Sequence, residues 1–177
     1  ANTDKEGYST CDINECSCNY REDKFSVITS ANIVNLEYFE EIGRFNDKLF
    51  IDMVDYDYCL RINIKKFKIL YFPDVFVEHK LGEVHLRTNI FTRKKKYKTE
   101  HNAQRAYYIA RNYLYVARNY GKYFPNDVGM LHILNIVFIH DVTKILIYEI
   151  DKWNKLKAKF IGLYHFLINR YGKYNLK

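Results

Sequence analysis

Residues 45–83 read FNDKLFIDMVDYDYCLRINIKKFKILYFPDVFVEHKLGE, and the order of residue types in this stretch sets the expectation for the whole chain. Tyr56, Cys59, Leu60, Asn63 and Phe67 fall on one face of a helix running from Val54 to Lys66, the recurrence of a helix with one packed side. Asp57 and Arg61 form an i,i+4 pair expected on an exposed or partly exposed turn. Asp52, Asp55 and Asp57 crowd the start of the same helix. The helix macrodipole favours carboxylates there, and most such clusters have no catalytic role. Three Asp in six residues, flanked by large apolar groups, nevertheless place part of the cluster near a buried edge. Lys68–Phe72 reads as a strand, Pro73 and Asp74 as a turn, and Val75, Val77 and His79 as one face of a second strand ending at Leu81 and Gly82. A lone His at a strand end is more often a hydrogen-bonded rim residue than a ligand. A strand end beside an acidic helix start is, however, where α/β folds assemble sites from separate segments.

Upstream, residues 1–24 are polar and aperiodic, an irregular lead-in. Phe25–Val34 (FSVITSANIV) reads as a buried strand followed by a turn. Asn35 is then a helix N-cap, Leu36, Phe39 and Ile42 recur at helical spacing, and Gly43 closes the helix. Downstream, residues 91–101 carry the run RKKKYK (93–98), expected to be a solvated basic loop, and residues 102–177 an amphipathic helical tail. On the first helix of that tail Ala106, Ile109, Ala110, Tyr113, Val116 and Ala117 form the expected packing stripe, leaving Arg111, Arg118 and Lys122 for phosphate or lipid headgroups. The apolar run Val128–His140 has 13 residues, too few to span a bilayer, which needs about 18 or more.

A chain of 177 residues with 48% hydrophobic content can bury a real core, which argues against disorder. Seven Gly and two Pro against 17 Tyr and 12 Phe disfavour linker-rich and many-turned classes. The net charge of +7 hides a bipolar chain, −8 over residues 1–60 and +15 over residues 61–177. A carboxylate-rich segment is thus joined to a basic tail suited to phosphate, acidic lipid or nucleic acid. Cys11, Cys16, Cys18 and Cys59 have no zinc spacing and read as free thiols of a reducing compartment. ANTDKEGYST lacks the pattern of a secretory signal.

Several short motifs now fall in one order: Gly43, Phe45 and Asn46; Phe50, Ile51, Asp52, Val54 and Asp55; Cys59, Leu60 and Arg61; His79 and Gly82; and RAYYIARN from Arg105 to Asn112. From Phe25 to Asn112 this string resembles the second half of inverting family-2 glycosyltransferases of the GT-A fold, most closely their bacterial rhamnosyltransferase-like branch. The implied class is α/β, an incomplete GT-A glycosyltransferase domain (its C-terminal half, residues 25–90) followed by the helical tail. The resemblance implies that Asp55 is the catalytic base that deprotonates an acceptor hydroxyl. It implies that Ser30, Asp52 and Asp57 shape the acceptor site, and that His79 is a ligand to a divalent cation, Mn2+ or Mg2+. Arg105 and Arg111 are the expected contacts to phosphate or an anionic surface. Ala31 stands where relatives usually carry Gly, and Lys66 where many carry Gly.

The family's nucleotide-binding first half has no counterpart upstream of residue 25, so the expectation is a fragment or split half whose cation and donor sites need that half, supplied by a partner chain. Implied partners are a nucleotide-sugar donor, a saccharide or lipid-linked acceptor in cell-surface polysaccharide assembly, and peripheral contact with anionic membrane on the cytoplasmic side. A non-catalytic binding remnant of the fold is the alternative. A basic nucleic-acid-binding module is disfavoured, because no groove-reading motif accompanies the basic run.

Overall fold

The computed structural model describes residues 2–3, 9–10, 22–30, 32–72, 84–89, 92–93, 95–99 and 101–176. In chain order the elements are β1 (Asn2–Thr3), β2 (Ser9–Thr10), β3 (Glu22–Asp23), α1 (Leu36–Ile42), α2 (Val54–Ile64), β4 (Leu70–Tyr71), β5 (Val84–Thr88) and β6 (Lys95–Thr99). The helices α3 (Ala103–Tyr120), α4 (Pro125–Val128) and α5 (Met130–Leu134) follow, then a π-helical segment (Asn135–His140), α6 (Asp141–Tyr148) and α7 (Lys152–Leu167). The described strands pair two by two, β1 with β2, β3 with β4 and β5 with β6, all antiparallel.

Local chemistry accounts for the helix ends. The Asn35 side chain accepts from the Glu37 backbone N–H at 3.0 Å and starts α1, and Gly43 ends it at φ +92°. That conformation is open chiefly to glycine. A Cβ at position 43 would also stand 2.9 Å from the Arg61 guanidinium, which donates to the carbonyls of Ile42, Gly43 and Arg44. Asn102 caps α3 by accepting from the Arg105 N–H at 2.9 Å.

Three local expectations are corrected. The lead-in contains β1, β2 and β3 rather than being wholly irregular. Within Phe25–Val34 the described residues form no strand. That segment is held instead by side chains of α2, with Asn63 donating to the Phe25 carbonyl at 2.9 Å and the Cys59 thiol to Val27 at 3.8 Å. Side-chain donors have taken the place of a neighbouring strand, which the apolar pattern cannot distinguish. The basic run expected as a loop contains β6, with Lys95 opposite Thr88 and Thr99 opposite Val84. The turn of this hairpin is tied to the helical layer by Asn89, which donates to the Tyr148 hydroxyl at 2.9 Å.

α3 is the axis of the helical layer. α7 lies along it at close range, and Gly162 permits the approach, since a Cβ there would stand 2.5 Å from the Tyr107 carbonyl oxygen. Ala110, Leu114 and Ala117 of α3 meet Ile133, Val137 and Phe166, while Val116 meets Leu60 of α2 and Val128. α3 is therefore buried on most of its circumference, including Tyr107, Tyr108, Arg111 and Asn112, whereas Ile109 and Tyr113 of the expected stripe are only half-buried. An element enclosed on several sides has no single polar face, so a stripe model assigns Arg111 to solvent wrongly.

Arg111 is fully buried and all five of its N–H groups are used. Nε donates to Asn112 Oδ1, Nη1 to the Tyr107 hydroxyl and the Gly172 carbonyl, and Nη2 to the carbonyls of Lys48 and Leu49. The rings of Tyr107, Tyr108 and Tyr171 surround the guanidinium carbon at 4.9 to 5.7 Å, so oxygen dipoles and π faces balance the charge. Asn112 Nδ2 donates to the carbonyls of Leu49, Ile51 and Asp52 at 2.7 to 3.0 Å. Together the two side chains clamp the loop that leads into α2.

From Pro125 to Tyr148 the helical run has 24 residues, and its most apolar 18-residue window has a mean hydropathy of 1.6 with only 17% of that window buried. By length and composition it could cross a membrane, which corrects the expectation drawn from Val128–His140 alone. Polar residues interrupt the apolar run in sequence, whereas the backbone carries the helical run past them.

Two outcomes follow for stability. Asn112→Ala strips a donor from three loop carbonyls and should lower unfolding free energy by about 3 kcal/mol, measurable by urea denaturation. Gly162→Ala forces α7 off α3 and should cost about 2 kcal/mol, read in the same way.

Candidate active site

Loop residues Phe50, Asp52 and Met53 all have positive φ, at 63°, 58° and 66°. Non-glycine residues in this region cost roughly 1 kcal/mol or more each, and the Asn112 and Arg111 bonds to the loop carbonyls hold them there. Met53 is the residue preceding α2, so the strained loop decides where that helix starts and which way its first carboxylates face.

The three aspartates meet three environments. Asp52 is chelated by Arg105, with Oδ1 to Nη2 at 2.7 Å and Oδ2 to Nε at 3.3 Å. This fork raises the Arg105 pKa further above its ordinary value. Asp57 is fully buried and accepts from Tyr120 Oη at 2.8 Å, Asn46 Nδ2 at 3.3 Å and Arg61 Nε at 3.1 Å. Burial, reinforced by the Asp57 carboxylate, pushes the Tyr120 phenol well above its usual range. Asp55 is half-buried, Oδ1 accepts from the Tyr56 backbone N–H at 2.9 Å, and among the described residues no salt bridge engages it. Its carboxylate keeps lone pairs for a ligand.

Asp55 lines a cleft of about 310 Å³ with Asp52, Arg105, Ser26, His101 and Tyr113. A second lobe of about 170 Å³ shares His101, Ile109 and Tyr113 and ends at Asp141, Lys144, Glu149, Lys155 and Lys159. On its other side Asp55 also borders a larger apolar groove of about 600 Å³ between α1, α2 and β4. Burial, followed by the charges of Arg105 and Lys144, holds the His101 pKa below 6.5. Burial and then the carboxylates of Asp141, Asp52 and Asp55 raise that of Tyr113. The cleft thus offers one uncommitted carboxylate beside a phenol and an imidazole that favour their neutral forms at neutral pH.

The sequence-derived site divides accordingly. Asp55, Asp52 and Arg105 come together. Asp57 does not line the cleft: its pair with Arg61 forms on a partly exposed turn as expected, but the carboxylate end is fully buried, because Tyr120 and Asn46 close over it. Ser30 sits in an exposed turn, outside the cleft lining that Ser26 joins. Arg111 is sealed in the core and unavailable to phosphate. His79 lies outside the described residues. Among the described residues no group of three or more His, Cys, Asp or Glu is arranged to hold a metal ion. His101 and Tyr113 escaped the sequence reading. Tyr113 falls on the packing stripe of α3 by spacing, and the signal for His101 is a polar residue directly ahead of the Asn102 cap.

Over 56 residues, 32% of this chain, the sequence is 36% identical to dTDP-rhamnosyl transferase RfbF of Shigella flexneri. That supports a glycosyltransferase-like relationship. The match spans about a fifth of the relative's length, 19%. No protein-family model matches the chain, and no solved structure does.

Acid should weaken the fold before the carboxylates titrate. Burial lowers the pKa of both His101 and His165 below 6.5. The Tyr107 hydroxyl, already accepting from Arg111, meets His165 Nδ1 at 2.9 Å as donor to a neutral ring. As pH falls through 6.5 the unfolded chain takes up these protons first, so stability complete above that pH is lost towards the folded values. Denaturation midpoints measured between pH 7.5 and about 5 should fall, and less steeply in His165→Gln.

Proposed function

We propose that this chain carries the acceptor side of a glycosyl transfer site, on a scaffold corresponding to the C-terminal half of a GT-A domain, with Asp55 as general base. The observation that carries the reading is the separation of the three aspartates: Asp52 is neutralised by Arg105, Asp57 is consumed by Tyr120, Asn46 and Arg61, and Asp55 alone faces the cleft without a cationic partner among the described residues. A base must lie within hydrogen-bond reach of the hydroxyl it deprotonates, and a carboxylate with free lone pairs at a cleft wall meets that condition. Asp52 and Arg105 position the acceptor, their fork fixing one wall of the cleft. Tyr113 and His101, both favoured neutral, supply hydrogen bonds to sugar hydroxyls without adding charge beside the base.

The similarity to a rhamnosyl transferase supports a nucleotide-sugar donor, with dTDP-rhamnose the first to test, and a saccharide or lipid-linked acceptor. The apolar groove bordering Asp55 on its other side is where a donor-binding half would sit. The described residues do not assemble a ligand set for Mn2+ or Mg2+, and no step is derived through a cation.

The test is transfer from a panel of nucleotide sugars by the protein together with its donor-binding half. Asp55→Asn should cut turnover by about a thousandfold or more, within the range that loss of a general base produces, with the denaturation midpoint unchanged. Asp57→Asn should lower the midpoint while the folded enzyme keeps most of its turnover. Near-normal transfer by Asp55→Asn would show that the base lies elsewhere.

A further inference from the structure

We propose that the C-terminal helical layer docks on the headgroup region of an anionic lipid bilayer through the outward sides of α7 and of the π-helix–α6 run. On α7 the side that meets α3 carries Ala158, Gly162, His165 and Phe166, all buried. The opposite side carries Trp153, Phe160, Tyr164 and Leu167, with Trp153 82% exposed and none of the four below 58%. The spacing 153, 160, 164, 167 keeps them on one stripe about 21 Å long. The preceding run repeats the arrangement, with Ile133, Val137 and Ile145 turned inward and Leu131, Ile139 and Leu146 outward. Ile150, in the connection between the two helices, is 62% exposed. Apolar exposure on this scale marks an interaction surface.

Charge selects the occupant. The acids of this region are largely spent inside the layer, Asp141 on Lys159 at 3.0 Å and Glu149 on Lys155 at 3.0 Å. Among the described residues from 122 onward the exposed charges are Lys122, Lys157, Arg170 and Lys173 against Asp127 and Asp151, with Arg170 over the Tyr174 ring and Lys173 over that of Phe50. Lys157 stands within the α7 stripe, one turn from both Trp153 and Phe160. An apolar stripe bearing Trp and Tyr, interspersed and flanked by cations, has the composition of a helix lying in the interface of an anionic membrane. A second copy of the chain would bring the same cations face to face. Crossing the bilayer is opposed by the packing of the run on α3 and by its inner charges: Lys159 Nζ donates to the Val137 carbonyl at 3.1 Å as well as pairing with Asp141. The proposal does not depend on glycosyl transfer.

Trp153 is the chain's one tryptophan and sits in the stripe, so its fluorescence reports docking directly. The 177-residue protein is mixed with vesicles of phosphatidylcholine alone, or of phosphatidylcholine with phosphatidylglycerol. The emission should shift to the blue and be quenched by brominated acyl chains, with binding to the anionic vesicles stronger by about tenfold or more and weakened by salt. Phe160→Gln combined with Leu167→Gln, both exposed, should reduce binding without changing the denaturation midpoint, and Lys157→Glu should reduce the preference for anionic lipid. Equal indifference to both vesicle types overturns the proposal. So does a blue shift without vesicles that follows protein concentration, which would assign the surface to a second copy. Resistance of the bound protein to alkaline carbonate extraction overturns it in favour of a spanning helix.

Discussion

The fold turns on the adjacent pair Arg111 and Asn112. Seven donor groups of two side chains satisfy carbonyls of Lys48, Leu49, Ile51, Asp52 and Gly172, together with the Tyr107 hydroxyl and Asn112 Oδ1. A buried guanidinium is expensive unless every N–H is matched, and here the matching partners are three separate parts of the chain: α3 itself, the loop before α2 and the segment after α7. The Gly172 N–H closes the circuit by donating to Lys48 at 2.8 Å. Removing one partner would leave a charge or several carbonyls unsatisfied in a dry interior, so loop, helix and C-terminal segment hold their places together.

The strained loop is where stability is exchanged for the placement of carboxylates. Three residues at positive φ would not persist in a short peptide. Held by the clamp, they end the loop so that α2 starts at Val54. Residues 52, 55 and 57 then point to three neighbours: Arg105 at the start of α3, the open cleft, and the pocket formed by Tyr120, Asn46 and Arg61. The conjunction of Arg105, Tyr107, Tyr108, Arg111 and Asn112 in one helix thereby acquires a physical reading. The first holds Asp52, the tyrosines enclose the guanidinium, and the last two hold the loop. Their common role is to hold the loop that leads into α2 and its first carboxylate, Asp52.

The helical layer shows the same economy of charge. Lys155 and Lys159 are almost fully buried and paired with Glu149 and Asp141, which orients α7 antiparallel to the preceding run and withdraws carboxylates from the surface. The outer sides stay apolar and basic.

Much was legible in the residues themselves. The caps Asn35 and Gly43, the helix beginning at Val54 and the Asp57–Arg61 pair follow from local rules, because each depends on groups within a few positions along the chain. So does the charge division between the first 60 residues and the rest. Tertiary structure alone decided which aspartate is open, because Asp52, Asp55 and Asp57 are alike by composition, and what separates them includes Arg105, 53 positions from Asp52, and Tyr120, 63 positions from Asp57. It likewise decided that Arg111 is internal: its partners come from sites about 60 residues distant in both directions, and an arginine on a helix reads as solvated until those carbonyls arrive. The segment 25–34 and the basic run 93–98 depart from their local patterns for the same reason. Whether an apolar stretch pairs as a strand or a charged stretch stays a loop depends on which donors and acceptors the fold brings beside it, and that information is not local.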